Sequence, residues 1–304
     1  MPTMKNETLP SLGAVLPMKE VGVKGLSDMA ELAGQGALAF LLLYDHVILD
    51  HPSKPTILDN RLYTSDTTFL EPMVTAAWLS QIAKKSKLIT GVLVAPQRQT
   101  ALLAQQAAHV SLFTDGRLEL GLGVGWNSEE YKALGQSFHT RGERLNEQII
   151  LMRKLWNEGE VTFHLDSEQI EHMAINPRPD KEIPIWVGGW SKKSIKRAAK
   201  LADGWMPLDE PEKYELSRDY LLEQLKTNKR DPKEFKIMGR VTLGTKPMDQ
   251  CVNDYLKWVS LGVSHIVIST TGTRNPNVSF HEHLIVDFWQ QTREFRHPSK
   301  SFEH

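Results

Sequence analysis

Short apolar runs alternate along the chain with longer segments in which apolar residues recur every three or four positions. The first pattern is typical of buried parallel strands, and the second is typical of helices that pack by one face. The alternation predicts eight strands, at residues 12–17, 37–46, 87–94, 117–124, 183–187, 205–208, 235–243 and 265–269. It predicts helices from Asp28 onward, over residues 71–86, 100–113, 140–159, 191–201 and 213–229, around residues 252–259, and over 282–295.

Eight βα units in succession favour a closed (β/α)8 TIM barrel, with parallel strands inside and helices outside. An open doubly wound sheet is the structural alternative, because periodicity alone does not show closure. We expect one domain over residues 1–304, with a loop insertion at about 48–68 and a hairpin-like insertion at about 160–180. Thr140 and Glu143 have the spacing of a capping box, which predicts that the Thr140 side chain caps the helix that follows it.

Composition narrows the class of protein. The 304 residues include 36 Lys and Arg and 37 Asp and Glu, so the net charge of -1 offers no excess of positive charge for nucleic-acid phosphates. No apolar run reaches the ~20 residues of a membrane helix, and the N-terminus lacks the basic-then-apolar order of a secretion signal. Cys251 is the single cysteine, which favours a reducing compartment. We therefore expect a soluble, cytoplasmic protein that binds neither nucleic acid nor a membrane.

The C-terminal ends of barrel strands are where a catalytic site is built. Asp45 and His46 end the second predicted strand, and a histidine there is suited to act as a general base or to donate a hydrogen bond to a ring atom. Taken alone, a single histidine at a strand end is more often structural. The only close histidine pair, His281 and His283, lies at a helix start, and the sequence has neither C-x-x-C nor H-E-x-x-H, so we expect no metal site.

Glycines mark two further strand ends. Gly188, Gly189, Trp190 and Ser191 precede a helix, where close backbone approach and free amides suit a phosphate. A tight βα turn that needs glycine explains the same residues. The alternating glycines of the motif Gly121-x-Gly123-x-Gly125 clear one face of the fourth strand, either for a ligand or for packing of the barrel layers.

Several blocks together resemble one enzyme family. The blocks DGRLELGLGVGWNSEEYKALG, RGERLNE and PIWVGGWSKKSIKRAAKLADGWMP, with YDHV and TGVLVAPQR before them, cover most of the chain in the order found in luciferase-like flavin and deazaflavin oxidoreductases. The resemblance implies a (β/α)8 barrel that binds FMN or coenzyme F420 at its C-terminal mouth. It also implies a non-prolyl cis peptide at the end of strand three, and the matching bond is Gly91–Val92.

The resemblance also assigns roles to residues. It places Asp45 and His46 near the ring, with His46 as the catalytic candidate for proton transfer or substrate polarisation. Gly91, Val92, Trp126, Asn127, Gly188, Gly189, Trp190 and Ser191 are predicted, with Asp45, to bind the cofactor. Relatives often have a small residue at the position of Tyr44 and a polar residue at the position of Trp190. We expect both side chains to narrow the pocket for the cofactor ring. Trp126 and Asn127 stand where related sugar-phosphate dehydrogenases carry a catalytic glutamate, which argues against that reaction.

Two reactions follow from the implied cofactors. With reduced FMN and O2 the enzyme oxygenates a small organic substrate and depends on a separate flavin reductase, whereas with F420 it transfers hydride. Helices two and three, with small residues Ala101, Ala104, Ala107 and Ala108, offer a homodimer face, although packing against the barrel explains these alanines equally well. The alternatives are a metal-dependent TIM-barrel hydrolase and a non-catalytic flavin-binding relative.

Overall fold

Parallel strands form a closed barrel in the computed structural model, which describes residues 9–34, 38–53, 63–207, 210–273 and 275–296. The strands are β1 (Ser11–Val15), β2 (Phe40–Leu43), β3 (Lys87–Thr90), β4 (Leu93–Val94), β5 (Leu118–Gly123), β6 (Val161–His164), β7 (Gln169–Met173), β8 (Ile185–Gly188), β9 (Gly204–Met206), β10 (Lys236–Thr242) and β11 (His265–Ser269). The helices are α1 (Met18–Leu32), α2 (Pro72–Leu79), α3 (Thr100–Phe113), α4 (Ser128–Ala133), α5 (Arg141–Asn157), α6 (Lys192–Leu201), α7 (Pro211–Thr227), α8 (Met248–Ser260), α9 (Val278–Gln291) and α10 (Arg293–Arg296).

The hydrogen-bonded order of the strands closes the sheet on itself. Neighbouring strands run in the order β3-β2-β1-β11-β10-β9-β8-β5-β4, and β3 also pairs with β5. Strands β3 and β4 are two parts of one barrel strand, so the barrel has eight positions. The predicted (β/α)8 barrel is confirmed, and the open-sheet alternative is wrong. Strands β6 and β7 stand apart as an antiparallel hairpin.

The first helix differs from the prediction. It begins at Met18 rather than at Asp28, and a kink at Gly22, where φ is +64°, interrupts it. Glycine is a poor helix former, so Gly22 and Gly25 made this segment read as a loop. Tertiary packing overrides that preference, because any Cβ on Gly25 would collide with Val278 of α9.

The predicted capping box at Thr140 is also wrong. Helix α5 does begin at Arg141, but the Thr140 side chain makes no capping hydrogen bond. Its φ of -92° and ψ of 0° differ from the extended backbone that directs a capping hydroxyl at the first turn. The insertion predicted at 48–68 lies partly outside the described residues, since positions 54–62 are not among them.

The barrel interior is filled by an apolar cluster that closes it below the mouth. Its buried members are Val15, Phe40, Leu42, Ile89, Trp186, Met206, Met238 and Val267, with Tyr44 and Val92 packed against them. A larger cluster fills the layer between the strands and the helices. Among the described residues, no helix is long and apolar enough to cross a membrane. Because the inner cluster fills the barrel below this level, the barrel is open at its C-terminal mouth, where the site residues were predicted.

Candidate active site at the barrel mouth

The third barrel strand is interrupted at the mouth. The Gly91–Val92 peptide bond between β3 and β4 is cis, as the family resemblance implied. The interruption directs Val92 toward the inner cluster. A Cβ added to Gly123 or to Gly188 would collide with the Val92 side chain, so these two glycines leave the room that Val92 occupies. The absence of side chains at Gly123 and Gly188 therefore makes space for Val92. The Val92 side chain forms an apolar surface that faces the mouth, which we call the Val92 shelf.

Asp45 fixes the segment that follows the shelf. Its Oδ2 accepts a hydrogen bond from the Val94 backbone N–H at 2.9 Å, and its Oδ1 accepts one from Nη2 of Arg98 at 2.8 Å. Arg98 also donates to Glu71 at 2.7 Å. Burial raises the pKa of the Asp45 carboxyl, and the neighbouring Arg98 guanidinium opposes that rise. Both oxygens of Asp45 thus hold protein donors, so its place is beneath the site, where it ties β2 to β4.

His46 is paired with a carboxylate that the sequence did not single out. Its Nδ1 lies 3.1 Å from Oε2 of Glu130, on the first turn of α4. The other oxygen, Oε1, accepts the backbone N–H groups of Val47 at 2.8 Å and Ile48 at 3.3 Å. Burial alone would raise the pKa of Glu130, but the hydrogen bonds from His46 and Val47 outweigh it and hold that pKa below its usual range. Glu130 is therefore an ionised acceptor that orients His46.

Aromatic rings surround the His46 imidazole. Phe69 and Trp126 meet it edge to face, with ring centroids 4.9 and 5.7 Å away, and Tyr63 lies at 5.5 Å. The His46 side chain is only 8% exposed. A ring nitrogen in such an apolar setting exchanges few hydrogen bonds with water, which suits proton transfer to a bound molecule.

Trp126 and Asn127 play different parts in this loop. Trp126 keeps 49% of its surface exposed while its ring touches His46. Asn127 is the N-cap of α4: its Oδ1 accepts the backbone N–H groups of Glu129 at 3.0 Å and Glu130 at 3.3 Å. The cap fixes the first turn of α4 and thereby holds Glu130 against His46.

The second glycine pair leads into the N-terminus of α6. Gly189 has a φ of +102°, a conformation that favours glycine. Ser191 is the N-cap, and its Oγ accepts the Ser194 backbone N–H at 3.1 Å. Trp190 is 70% exposed. The first turn carries exposed Lys192, so an anion bound here meets free amides and a positive charge.

The surroundings of the mouth include a cleft and a buried histidine. A cleft of about 430 Å³ lies beyond Glu130, between the segment after His46 and α4, and Ile48, His51 and Lys132 help to line it. Within the described ranges, no group of three or more His, Cys, Asp or Glu side chains is arranged to hold a metal ion. His281 is buried, with its ring nitrogens near Thr270 and the Asn275 carbonyl.

Sequence reasoning found one half of the His46–Glu130 pair and missed the other. Glu130 belongs to the run Asn127-Ser128-Glu129-Glu130, which reads as an ordinary acidic helix start. The available signal was the capping asparagine, because it sets a helix whose first turn faces the preceding strand end. Arg98, the last residue of the block TGVLVAPQR, was also not predicted as a site residue.

Comparisons with known proteins identify the family of this chain. A sequence profile of the luciferase-like monooxygenase family matches residues 11–298. An F420-dependent glucose-6-phosphate dehydrogenase of Amycolatopsis mediterranei is 31% identical over 137 residues, which are 43% of this chain and 41% of that protein. The pyrimidine monooxygenase RutA of Variovorax paradoxus is 30% identical over 141 residues, 44% of this chain and 37% of that one. The matched part of the chain spans about half the length, or less, of these curated relatives.

Among solved structures, an F420-dependent secondary alcohol dehydrogenase in complex with an F420–acetone adduct has the same fold. It superimposes with a TM-score of 0.77 at 15% identity, over 92% of this chain and 98% of that one. The luciferase-like family uses FMN or F420, as the sequence led us to expect. Because the family profile covers nearly the whole chain, the protein belongs to the luciferase-like monooxygenase family.

Proposed function

We propose that this protein is an oxidoreductase that binds the ring of FMN or F420 against the Val92 shelf and acts on a small organic substrate beside His46. One observation carries the proposal. A histidine enclosed by aromatic rings, with its Nδ1 held by a buried carboxylate, stands at the same barrel mouth as an apolar shelf. The shelf suits a flat ring, and the histidine suits proton transfer.

The residues present fit such a cofactor. Val92 offers an apolar surface that the Gly123 and Gly188 positions keep in place. The α6 N-terminus, with Gly189 and Ser191, lies at the next strand end but one and suits a phosphate. Its exposed lysines, Lys192 and Lys193, add charge of the right sign. The ring of the cofactor and its phosphate thus have separate binding positions at the barrel mouth.

The chain's own groups then have distinct tasks. When bound, reduced FMN supplies oxygenation with O2, and F420 supplies hydride transfer. His46 gives a proton to the reacting oxygen of the substrate, or takes one from it, through Nε2, because Nδ1 is held by Glu130. Glu130 stabilises the charged imidazolium while this proton is in place. Phe69 and Trp126 keep water from the imidazole, and Asp45 holds the shelf in register through Val94.

The proposal extends to partners. An FMN-dependent enzyme of this kind takes its reduced flavin from a separate reductase. We also propose a homodimer through α2 and α3, whose outer faces expose apolar side chains: Val74, Trp78 and Leu102. Ala104, Ala107 and Ala108 are fully buried against the barrel, so the exposed apolar residues of these helices, rather than their alanines, form the proposed dimer face.

Titration of the purified protein with FMN and, separately, with F420 tests the proposal. Tight binding of FMN alone favours oxygenation, and tight binding of F420 alone favours hydride transfer. Failure of both rings to bind at concentrations well above micromolar contradicts the proposal. The variant His46→Ala separates catalysis from binding: we expect turnover to fall and ring binding to persist, whereas a non-catalytic relative binds the ring and shows no turnover even as wild type.

A further inference from the structure

A second group of polar side chains lines the mouth at the C-terminal ends of β2, β10 and β11. Leu42, Met238 and Val267, on three different strands, belong to the inner apolar cluster. Because side chains alternate along a strand, residues two positions further on also face the barrel interior. Those residues are Tyr44, Arg240 and Ser269. They form the layer directly above the apolar filling, and with Thr271 and Glu20 we call them the wall cluster.

Arg240 is the unusual member of this cluster. Among the residues that the structure describes, no carboxylate oxygen lies within 4.0 Å of its guanidinium, whereas Arg98 pairs with Asp45 and Lys87 with Glu119. Guanidinium keeps its charge at every physiological pH. A half-buried cation that faces the barrel mouth without an acidic partner is stabilised by an anion that binds there.

The neighbours of Arg240 are hydrogen-bond donors as well. The phenol of Tyr44 lies close to Arg240, Ser269 and Thr271, and Oγ of Ser269 is 2.7 Å from Oγ1 of Thr271. Burial raises the pKa of Tyr44, which keeps the phenol neutral and able to donate. A site with a guanidinium and three hydroxyls is rich in donors, so it suits a group with several acceptor oxygens.

Glu20 adds the complementary feature. Its Oε1 accepts the Gly272 backbone N–H at 3.3 Å, but its Oε2 is buried and has no hydrogen-bond partner among the residues that the structure describes. Glu20 and Arg240 both act electrostatically on Tyr63, yet they form no ion pair with each other within 4.0 Å. A cation and an anion that lie at the same barrel mouth without pairing fit a ligand that carries both an acceptor and a donor.

We propose that the wall cluster recognises the substrate, and that the substrate is a small carboxylic acid with a hydroxyl or amino group next to its carboxylate. The carboxylate binds Arg240 and the hydroxyls of Tyr44 and Ser269, and the adjacent donor binds Oε2 of Glu20. This inference rests on the proposed function, because it places the reacting part of the acid between the wall cluster and His46. It adds a substrate class and two specificity-determining residues, Arg240 and Glu20.

Binding of matched probes tests the proposal without knowledge of the natural substrate. The probes are lactate and mandelate, their amides, and propionate and phenylacetate, which lack the hydroxyl. Calorimetry on the ring-loaded protein, and on the ring-free protein, should show each hydroxy acid binding at least about tenfold more tightly than its amide. The acids without the hydroxyl should bind several-fold more weakly than their hydroxy counterparts.

Three variants assign the preferences to residues. Arg240→Met should remove the preference for acid over amide, and Glu20→Gln should weaken the preference for the hydroxyl. Arg218→Met is the matched control, because Arg218 is exposed on α7 and its loss removes the same charge from the surface. Thermal unfolding of each variant shows whether it folds, and Arg240→Lys, which keeps the charge, should retain part of the acid preference if the methionine variant is unstable.

The outcomes separate this proposal from the proposed function. Equal binding of acid and amide by the wild type, retention of the acid preference in Arg240→Met, or no acid binding up to about 10 mM would each overturn it. Loss of FMN or F420 binding in Arg240→Met, without any acid preference in the wild type, would show that the guanidinium contacts the cofactor instead. Failure of the wild type to bind either ring would refute the proposed function, while the probe series would still report on the wall cluster.

Discussion

His46 and Glu130 are 84 positions apart in the sequence, yet Nδ1 of His46 lies 3.1 Å from Oε2 of Glu130. An ionised carboxylate only accepts hydrogen bonds, so the pair assigns the Nδ1 proton to His46 and leaves the lone pair on Nε2. This contact thus joins the end of β2 to the first turn of α4. Its geometry depends on the Asn127 cap and on the backbone N–H groups that hold the second oxygen of Glu130.

Replacement of His46 tests its catalytic role. We expect His46→Ala to lower kcat by about 10²–10⁴-fold, the usual contribution of a general acid or base. The dissociation constant of the cofactor should change little, because the shelf and the α6 N-terminus remain. Steady-state kinetics and a ring titration on the same preparation check both parts, and an unchanged kcat would show that His46 is not the catalytic group.

Replacement of Glu130 tests the orienting role. Glu130→Gln keeps the shape of the side chain but removes its charge, and we expect kcat to fall by roughly 10–100-fold, as for other partners that orient a functional histidine. Glu129→Gln, at the adjacent exposed position, is the matched control and should retain nearly full kcat. Equal effects of the two substitutions on kcat would contradict the assignment.

The Asp45–Arg98 pair should be important for stability. Arg98→Met leaves the buried Asp45 carboxylate without its cation, and we expect the free energy of unfolding to fall by about 3–5 kcal/mol. Burial already raises the pKa of Asp45, and loss of Arg98 raises it further. A carboxyl whose pKa is raised on folding disfavours the folded state when ionised, so the deficit should be smallest in acid and should grow as pH rises through the folded-state pKa.

Chemical denaturation across this pH range measures that deficit. The double variant Arg98→Met with Asp45→Asn removes both charges and should recover much of the lost stability near neutral pH. If the double variant is as unstable as the single one at every pH, the deficit does not come from an uncompensated carboxylate.

The close packing of Gly188 against Val92 can be tested with a compensating pair of substitutions. Gly188→Ala places a Cβ against the Val92 side chain, and we expect a loss of about 1–3 kcal/mol in the free energy of unfolding together with weaker ring binding. Adding Val92→Ala removes the collision and should restore stability more than ring binding, since the shelf itself is then smaller. If Val92→Ala does not restore stability to Gly188→Ala, the two side chains do not compete for one space.

His265 predicts a pH dependence at the opposite end of the barrel. Its ring lies between Phe40 and Trp186, and burial lowers its pKa from 6.5 to about 4. Between pH 6.5 and about 4 the unfolded chain therefore binds a proton at His265 that the folded protein does not bind. The contribution of His265 to the free energy of unfolding is fully present above pH 6.5 and is lost as the pH falls toward 4. At about 1.4 kcal/mol per pH unit, this one group accounts for a loss of about 3 kcal/mol over that interval.

The variant His265→Gln isolates this contribution. The difference in unfolding free energy between wild type and variant should change by about 3 kcal/mol between pH 7 and pH 4. A difference that stays constant across this range would show that His265 titrates in the folded protein as it does in the unfolded chain.

The local pattern predicted the strands and helices well where local preference and packing agree. Helix α3 (Thr100–Phe113) and strand β11 (His265–Ser269) have their predicted bounds, because each has one continuous periodicity. Helix α1 was predicted too short, since glycine disfavours a helix, whereas here Gly22 forms the kink and Gly25 allows close contact with α9. Thr140 was wrongly assigned as a capping side chain, because its backbone conformation is set by the chain around it.

The candidate site was only partly accessible from sequence. His46 and the Gly91–Val92 bond follow from strand ends and from the family resemblance, whereas the Glu130 partner depends on a contact across 84 residues. Arg240 did leave a signal, because a charged residue at an inward position of an apolar strand requires an explanation. That signal becomes informative only when the strand register shows which positions face the barrel interior.

A crystal structure of the protein with FMN or F420 bound, whichever ring binds more tightly in solution, shows where the ring lies relative to Val92 and His46. The account predicts that one face of the ring lies on Val92, that its reactive edge faces His46, and that the phosphate lies at the N-terminus of α6. A ring bound away from Val92 and His46, or no bound ring at saturating concentration, would contradict it.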